Sequence, residues 1–233
     1  MKNLLLIFVV ISLTGYGQTA TEFYNRGVAK SDLQDYQGAI SEFNKTIILD
    51  PNSAEAYNVR GIAKSGLQDY TGAISDFNKA IQLYPDFAVA YFNRGIAKKS
   101  IEDYNGSIAD YSKAIQINPN FDAAYNNRGI LKLYLEDYRG AIADFNKAIL
   151  LNPDFANAYH NRGLTKYNLE DYRGAIADFN KAILLYPDYA SAYTNRGFAK
   201  YLLNDNNGAC LDWSKAGELG YSKAYNAIQK FCQ

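Results

Sequence analysis

Few side chains in this sequence are of the types that usually carry out catalysis or bind metals. The 233 residues include one histidine, His160, and two cysteines, Cys210 and Cys232. No serine or cysteine recurs at a fixed distance from His160, so no nucleophile, base and orienting group come together. One histidine and two distant cysteines also fall short of a metal-ligand set. The sequence therefore predicts a protein that is not an enzyme and holds no metal or other cofactor.

The overall composition is that of a soluble globular chain. Hydrophobic residues make up 48% and charged residues 21%, which separates the chain from disordered proteins. The 24 Lys and Arg residues balance the 24 Asp and Glu residues. A nucleic-acid-binding protein usually shows a basic excess, so we expect no nucleic-acid partner.

The first seventeen residues have the three-part layout of a secretory signal peptide. A positive start is followed by an apolar run from Leu4 to Leu13, and Gly15 and Gly17 place small residues at the expected cleavage positions. The run is too short for a transmembrane helix, which needs about 20 residues. We expect cleavage after Gly17 and an exported protein, periplasmic or secreted, without a membrane span. A short anchor that is never cut is the alternative.

The rest of the chain is built from one unit that is repeated six times. The period is 34 residues, and it is marked by Arg-Gly pairs that begin at Arg26, Arg60, Arg94, Arg128, Arg162 and Arg196. All five prolines share one register, at Pro51, Pro85, Pro119, Pro153 and Pro187. A fixed period of this length indicates a stack of similar supersecondary units.

Each unit is predicted to contain two helices, because apolar residues recur at spacings of three to five. An aspartate in the short connection is placed to cap the second helix, at Asp35, Asp69, Asp103, Asp137, Asp171 and Asp205. The residue after each proline is expected to cap the next first helix, at Asn52, Asp86, Asn120, Asp154 and Asp188. Asn52 to Glu55 has the pattern of a capping box.

Two further registers predict how the helices of one unit pack. The glycine of each Arg-Gly pair and the alanine equivalent to Ala39 lie where the two helices would cross closely, since glycine inside a helix otherwise costs about 1 kcal/mol. Each Arg is matched by an acid sixteen residues later, such as Glu42 for Arg26 and Asp144 for Arg128. We expect a ladder of structural ion pairs. An array of arginines that binds anions is the rival interpretation.

The repeat resembles the tetratricopeptide repeat (TPR) family over residues 20–223. Counting from Ala20, the family's aromatic, Gly, Ala, Phe and Pro positions are filled in the second copy by Tyr57, Gly61, Ala73, Phe77 and Pro85. Two departures are Arg at position 7 and Lys at position 11. The resemblance implies an all-α fold, an α-solenoid of six 34-residue helix-turn-helix repeats in a right-handed superhelix, whose first helices form a concave face.

These patterns divide the chain into a leader, a repeat array and a cap. The predicted domains are a signal peptide at 1–17, six repeats within 18–223 (20–53, 54–87, 88–121, 122–155, 156–189 and 190–223) and a C-terminal capping helix at 224–233. Cys210 takes an isoleucine position in the last repeat, and Cys232 falls where the next first helix would place its contacting residue. We expect a disulfide in an oxidising compartment. Two buried free thiols are the alternative.

The concave face is the place where the resemblance puts a partner, on positions 2, 5, 6, 9, 12 and 13. Position 6 is an Asn in all repeats but one, and such amides can bond the backbone of an extended peptide. Aromatic side chains gather in the C-terminal half of the groove. The predicted groove residues are Tyr24, Asn25, Asn58, Phe92, Asn93, Lys99, Asn126, Asn127, Tyr134, His160, Asn161, Tyr167, Asn195 and Tyr201. Alternatively, the Asn side chains bond within the helix pairs and the tyrosines are ordinary packing.

The function that these features favour is a non-catalytic scaffold in the cell envelope, which binds a protein or peptide in its groove. This step relies partly on analogy, because a fold does not determine a function. A structural unit that assembles with itself is the first alternative, and a carbohydrate binder that uses the groove aromatics is the second. The sequence does not identify the partner.

Overall fold

The computed structural model describes residues 18–232, and this part of the chain folds into thirteen α-helices without a strand. The predicted signal peptide at 1–17 lies outside the described residues. The chain forms two compact units, with a boundary between Tyr84 and Pro85. The all-α repeat fold that the sequence predicts is confirmed.

The first unit contains two helix pairs. Its helices are α1 (Ala20–Asp32), α2 (Tyr36–Leu49), α3 (Ala54–Gly66) and α4 (Tyr70–Leu83). Helices α1 and α2 pack together, α3 packs on both α2 and α4, and the core between them is built on Ala39, Phe43 and Ala63.

The second unit contains four helix pairs and a final single helix. Its helices are α5 (Ala88–Ser100), α6 (Tyr104–Ile117), α7 (Asp122–Tyr134), α8 (Tyr138–Leu151), α9 (Ala156–Asn168), α10 (Tyr172–Leu185), α11 (Ala190–Leu202), α12 (Asn206–Glu218) and α13 (Lys223–Phe231). Each second helix packs on its own first helix and on the first helix of the next pair. Each helix after α5 is thus packed against the helices that precede and follow it in the sequence.

The predicted aspartate caps of the second helices are confirmed at all six positions. The Asp137 side chain accepts a hydrogen bond of 2.9 Å from the Gly140 N–H, and the other five aspartates make the same contact. A Cβ atom on Gly140 would lie 2.1 Å from Asp137 Oδ2. The glycine in the first turn therefore leaves room for the capping carboxylate.

The predicted caps of the first helices are wrong by one residue. Ser53 caps α3, and its side chain accepts from the Ala56 N–H, while the Asn52 N–H turns back to the Asp50 side chain. No acid stands three residues after Ser53, so the capping box predicted at Asn52 is absent. In the second unit, Phe or Tyr occupies the N-cap position of α5, α7, α9 and α11 without a side-chain hydrogen bond.

The close helix crossing predicted at the first-helix glycines is confirmed. A Cβ atom on Gly129 would lie 2.7 Å from Cε1 of Phe145, and the other five pairs of this register are as tight. The alanine equivalent to Ala39 is fully buried in five of the six copies, and Ser107 takes its place in the third. Glycine and a small residue thus let each aromatic ring of the second helix lie against the backbone of the first.

Helix α13 closes the C-terminal end of the second unit. Ala224 and Ala227 pack on Trp213 of α12, and the Phe231 ring lies 4.6 Å from that of Tyr201. Cys210 and Cys232 form a disulfide in the structure, with their Cα atoms 5.8 Å apart. The last helix is therefore attached by both apolar packing and a covalent bond.

Candidate functional site

The arginine and acid registers form ion pairs within each helix pair, as the sequence predicts. In the fourth pair, Arg128 donates two hydrogen bonds to Asp144, at 2.9 and 2.6 Å, and its guanidinium carbon lies 5.7 Å from the centre of the Tyr125 ring. Lys132 also reaches Asp144, at 2.8 Å. These hydrogen bonds raise the pKa of Arg128 above its ordinary value, with Asp144 as the main cause.

The lysine is a third member of each ion cluster that the sequence interpretation missed. The acid side chains are about 5% exposed from the second copy onward, and their arginines are 16–19% exposed. The sequence contains a signal for this third member, because a lysine recurs at the same position of every repeat, at Lys30, Lys64, Lys98, Lys132, Lys166 and Lys200. Since two cations already saturate each carboxylate and are bound by it, these clusters are structural and do not form an anion-binding array.

The first copy of this cluster is looser than the others. The Arg26 and Lys30 side chains are 42% and 40% exposed, and the Lys30 Nζ lies 4.0 Å from Glu42. Glu42 is bound by both Lys45 and Arg26, and the hydrogen bond from Lys45 is the main cause that lowers the pKa of its carboxyl. No earlier repeat covers this end within the described residues, so the side chains lie partly in water.

Three predicted groove residues are buried. Asn58, Asn126 and His160 occupy position 5 and are only 5–7% exposed. His160 shows the reason, because its ring lies 4.8 Å from that of Tyr189 and 5.7 Å from that of Phe179. Phe92 and His160, at position 5 of the third and fifth repeats, each pack between their own second helix and the aromatic residue before the next first helix. Asn58, Asn126 and His160 are therefore buried and are not exposed on the predicted binding face.

His160 is an uncharged core residue. Burial lowers the pKa of its imidazole to about 4. The Asn195 amide nitrogen lies 3.0 Å from His160 Nε2 and donates to it when that nitrogen carries no proton. The histidine is therefore a packing and hydrogen-bonding residue.

Several position-6 asparagines bond to the preceding repeat. Asn161 donates to the Asn126 oxygen at 3.1 Å, and Asn195 makes the corresponding contact with His160. Asn25 is exposed, and Asn93 and Asn127 are half-buried. At least two members of the predicted asparagine ladder thus join the first helices of neighbouring repeats, whereas the alternative interpretation expected bonds within one helix pair.

Most of the predicted aromatic residues are partly engaged in packing. Tyr24 and Phe92 contact the rings of Phe43 and Tyr111 beneath them, and Tyr167 lies edge-on to Tyr172. Burial, the larger cause, and the carboxylate of Glu55 raise the pKa of Tyr24. Tyr201 belongs to the C-terminal core, next to Trp213 and Phe231. Its ring is therefore part of the cap and is only half-exposed.

Lys99 and Tyr134 are the two predicted residues of the second unit that are openly exposed. Tyr134 is 65% exposed at the end of α7, and its ring lies 4.9 Å from that of Tyr104. The two tyrosines, Lys99, Ile130 and Leu131 line a hollow of about 200 Å³. On α5, the helix that carries Lys99, Val89 and Ile96 also leave about two-fifths of their surface exposed.

We call this surface the first-helix face. It comprises the exposed or half-buried side chains of α5, α7, α9 and α11 at the groove positions, chiefly Val89, Ile96, Lys99, Ile130, Tyr134, Leu164 and Tyr167. At the groove positions of these four helices Lys99 is the one charged residue. The face is thus mainly apolar and almost uncharged.

The first unit has a hollow of its own with a different character. It measures about 290 Å³ and is lined by residues that include Tyr24, Thr46, Asp50 and Glu55. Its two carboxylates make it acidic, in contrast to the first-helix face of the second unit.

The described residues contain neither a helix that could span a membrane nor a group of metal ligands. None of the helices between residues 18 and 232 has the length and apolar character to cross a bilayer. Within the same residues, no three His, Cys, Asp or Glu side chains come together as a set of metal ligands.

Solved structures similar to this chain are repeat solenoids. A structure of MamA is 27% identical, with a TM-score of 0.64, over 71% of this chain and 96% of MamA. YrrB, described as a TPR protein with an unusual peptide-binding site, is 21% identical, with a TM-score of 0.66, over 80% and 97%. PilW, described as a type IV pilus biogenesis factor, is 20% identical, with a TM-score of 0.80, over 91% and 99%. The curated proteins contain no significant match.

Models of the tetratricopeptide repeat match this sequence along most of its length. One matches residues 88–121, 123–155 and 156–189, and a second matches residues 24–88. Proteins of this family are generally non-catalytic scaffolds for protein interactions. With helix pairs of the expected length and packing in both units, this chain belongs to the tetratricopeptide repeat family.

Proposed function

We propose that this chain is an exported scaffold that binds an extended peptide segment of a partner protein on the first-helix face of residues 85–232. The observation that carries the proposal is the exposure of Val89, Ile96 and Tyr134 on a surface with one charge. Apolar side chains exposed together on a stable fold mark interaction sites. Aromatic anchors such as Tyr134 are common at the centre of such sites.

Polar groups on the same face suit a peptide backbone. Asn127 lies half-buried beside Ile130, and its amide can both donate and accept a hydrogen bond. An extended peptide needs such partners for its own N–H and C=O groups. The peptide-binding site named for YrrB agrees with this use of a repeat stack, although the likeness at 21% identity shows the fold alone.

Export is supported by features at the two ends of the sequence. The signal-peptide pattern at residues 1–17 is one, and the pairing of Cys210 with Cys232 is the other, because disulfides persist in oxidising compartments. We place the mature protein in the periplasm or outside the cell.

The test is a capture experiment with two matched variants, using protein that is purified after export. Ile96→Ser with Tyr134→Ser removes two apolar groups from the first-helix face. Leu150→Ser with Leu184→Ser removes two leucines that are 72% exposed on the second helices α8 and α10. Both variants are checked for helix content by circular dichroism.

The proposal predicts that wild type and the leucine variant capture the same partner from an extract of the native cells, and that the face variant loses it. Retention of every partner by the face variant would place binding elsewhere on the molecule.

Self-association through the first repeat is a second candidate. There, Leu49 is 53% exposed, although its equivalents in later repeats are half-buried, and a hollow of about 520 Å³ lies between Phe23, Lys45 and Leu49. Since α13 covers the last helix pair, association at this surface would end at a dimer. Light scattering would show a dimer that Leu49→Asp dissociates. A wild type that stays monomeric at high concentration would exclude this candidate.

A further inference from the structure

The hollow beside Tyr134 differs from the rest of the first-helix face by its charge. Lys99 lies at position 12 of its repeat, where the other copies carry Ser, Leu or Tyr. Its neighbour Lys98 is bound to Asp110 at 2.9 Å, whereas no ion pair or hydrogen bond of the Lys99 ammonium is present within residues 18–232. The Lys99 ammonium is thus exposed at the rim of an apolar hollow and has no acidic partner among the described residues.

The opposite side of the hollow presents hydroxyl groups. A hydrogen bond with Tyr134, as the main cause, raises the pKa of Tyr104. The two rings lie 4.9 Å apart, and a phenol O–H of this pair can donate a hydrogen bond to a ligand. The carboxylate of Glu102, in the turn before α6, also raises the pKa of Tyr104, as a smaller cause than Tyr134.

The floor of the hollow is apolar. Ile130 is half-buried and Leu131 is 2% exposed, and the tyrosine rings form the walls. A volume of about 200 Å³ accommodates one large side chain and part of its backbone. The site thus combines space for an apolar group with one cation and a hydroxyl donor.

We propose that this hollow selects peptide segments in which an Asp or Glu lies two residues from a large apolar side chain. The apolar group fills the space between Ile130 and Tyr134, and the carboxylate meets the Lys99 ammonium and a tyrosine hydroxyl. Side chains two residues apart lie on the same side of an extended peptide, which lets both contacts form together. This inference rests on the proposed peptide-binding function and adds the chemistry of the partner.

A structural role for Lys99 is the competing explanation. The residue lies in the last turn of α5, where a cation interacts favourably with the helix dipole. In that case its removal changes stability slightly and leaves ligand preference as it was. The experiment must therefore measure which peptides the protein prefers, and not only how tightly it binds one peptide.

The experiment is a selection from a random dodecapeptide display library on the purified exported protein. The forms compared are wild type, Lys99→Gln and a matched control, Lys147→Gln, which removes a lysine of α8 that has no acid partner among the described ion pairs. We expect wild type and the control to enrich peptides with Asp or Glu two residues from a large apolar residue at least five-fold over the unselected library. Lys99→Gln should keep the apolar preference and lose the acidic one.

A synthetic peptide from the enriched set gives the second readout. Replacing its acid by the amide should weaken binding to wild type about ten-fold and leave binding to Lys99→Gln nearly unchanged, which is the pattern of a direct contact. Melting curves of the variant should stay close to those of wild type, because Lys99 is exposed.

The outcomes separate the two proposals. Enrichment of peptides without an acidic preference, or an acidic preference that survives in Lys99→Gln, overturns this inference and leaves the first-helix face as a binding site. Failure of all three forms to enrich any peptide overturns both the inference and the proposed function.

Discussion

At the scale of single residues, one acid in each helix pair forms ion pairs with at least two cationic side chains. Asp144 is 5% exposed and is bound by Arg128 and Lys132, whereas Glu42 in the first pair is bound by side chains that are 40–46% exposed. Removing one member of a buried ion pair leaves uncompensated charge and costs about 3 kcal/mol. Exposed pairs are worth about 1 kcal/mol or less.

Asp144→Asn should therefore lower the free energy of unfolding by about 3 kcal/mol, and Glu42→Gln by about 1 kcal/mol or less. Urea unfolding followed by circular dichroism measures both variants against wild type. Equal losses at the two positions would contradict the account, because burial would then not decide the strength of the cluster.

The buried imidazole of His160 should make the protein less stable as the pH is lowered below 7. The pKa of the imidazole is about 4 in the folded protein and about 6.5 in an unfolded chain. Between these values the unfolded chain is protonated and the folded protein is not. The free energy of unfolding therefore falls as the pH is lowered from 7 to 4, and His160 causes little further loss below pH 4. The loss at pH 5 is on the order of 2 kcal/mol.

The chain itself offers a matched replacement for this histidine. Asn126 fills the same repeat position and accepts from Asn161, so His160→Asn should keep the hydrogen bond with Asn195. Melting curves at pH 7 and pH 5 should show a larger loss in wild type than in the variant. An identical pH dependence would mean that the histidine takes up a proton in the folded state.

At the scale of the elements, the helices could be predicted from periodicity and the turns only in part. Apolar spacing and the recurrent aspartates are local signals, and the second helices begin where those signals place them. The first helices begin one residue later than expected, because the backbone after each proline turns back to the residue before it. The Asn52 N–H, for example, bonds the Asp50 side chain, and Ser53 becomes the cap.

The last helix is the element that depends most on a single bond. Helix α13 has nine residues, too few to be stable alone, and is attached through Cys232 and the contacts of Phe231. Closing a loop of 22 residues stabilises by about 3 kcal/mol in the chain-entropy model. We expect dithiothreitol to lower the melting temperature and to speed amide exchange in α13 first.

The double variant Cys210→Ala with Cys232→Ala is the control for reduction. It should resemble the reduced wild type and show no response to dithiothreitol. A melting temperature that is the same with and without reductant in wild type would mean that the bond does not form in the protein or does not constrain it.

At the scale of the whole molecule, the family could be predicted from sequence and the binding residues only in part. A register that recurs six times determines the scaffold. Burial at position 5 depends on a contact between elements: the Phe92 ring lies 4.7 Å from that of Phe121, as His160 lies against Tyr189. The aromatic residue that precedes each first helix of the second unit was a visible signal for this packing. Exposure of Lys99 and Tyr134 required the structure.

The most direct test of the proposed binding face is site-specific photo-cross-linking in the native cells. A photoreactive amino acid is placed at Tyr134 or Ile96 on the first-helix face, and at Leu150 or Leu184 on the second helices. The account predicts that one partner is cross-linked from the first two positions and not from the last two. Cross-linking of that partner from Leu150 or Leu184, with none from Tyr134 or Ile96, would contradict it.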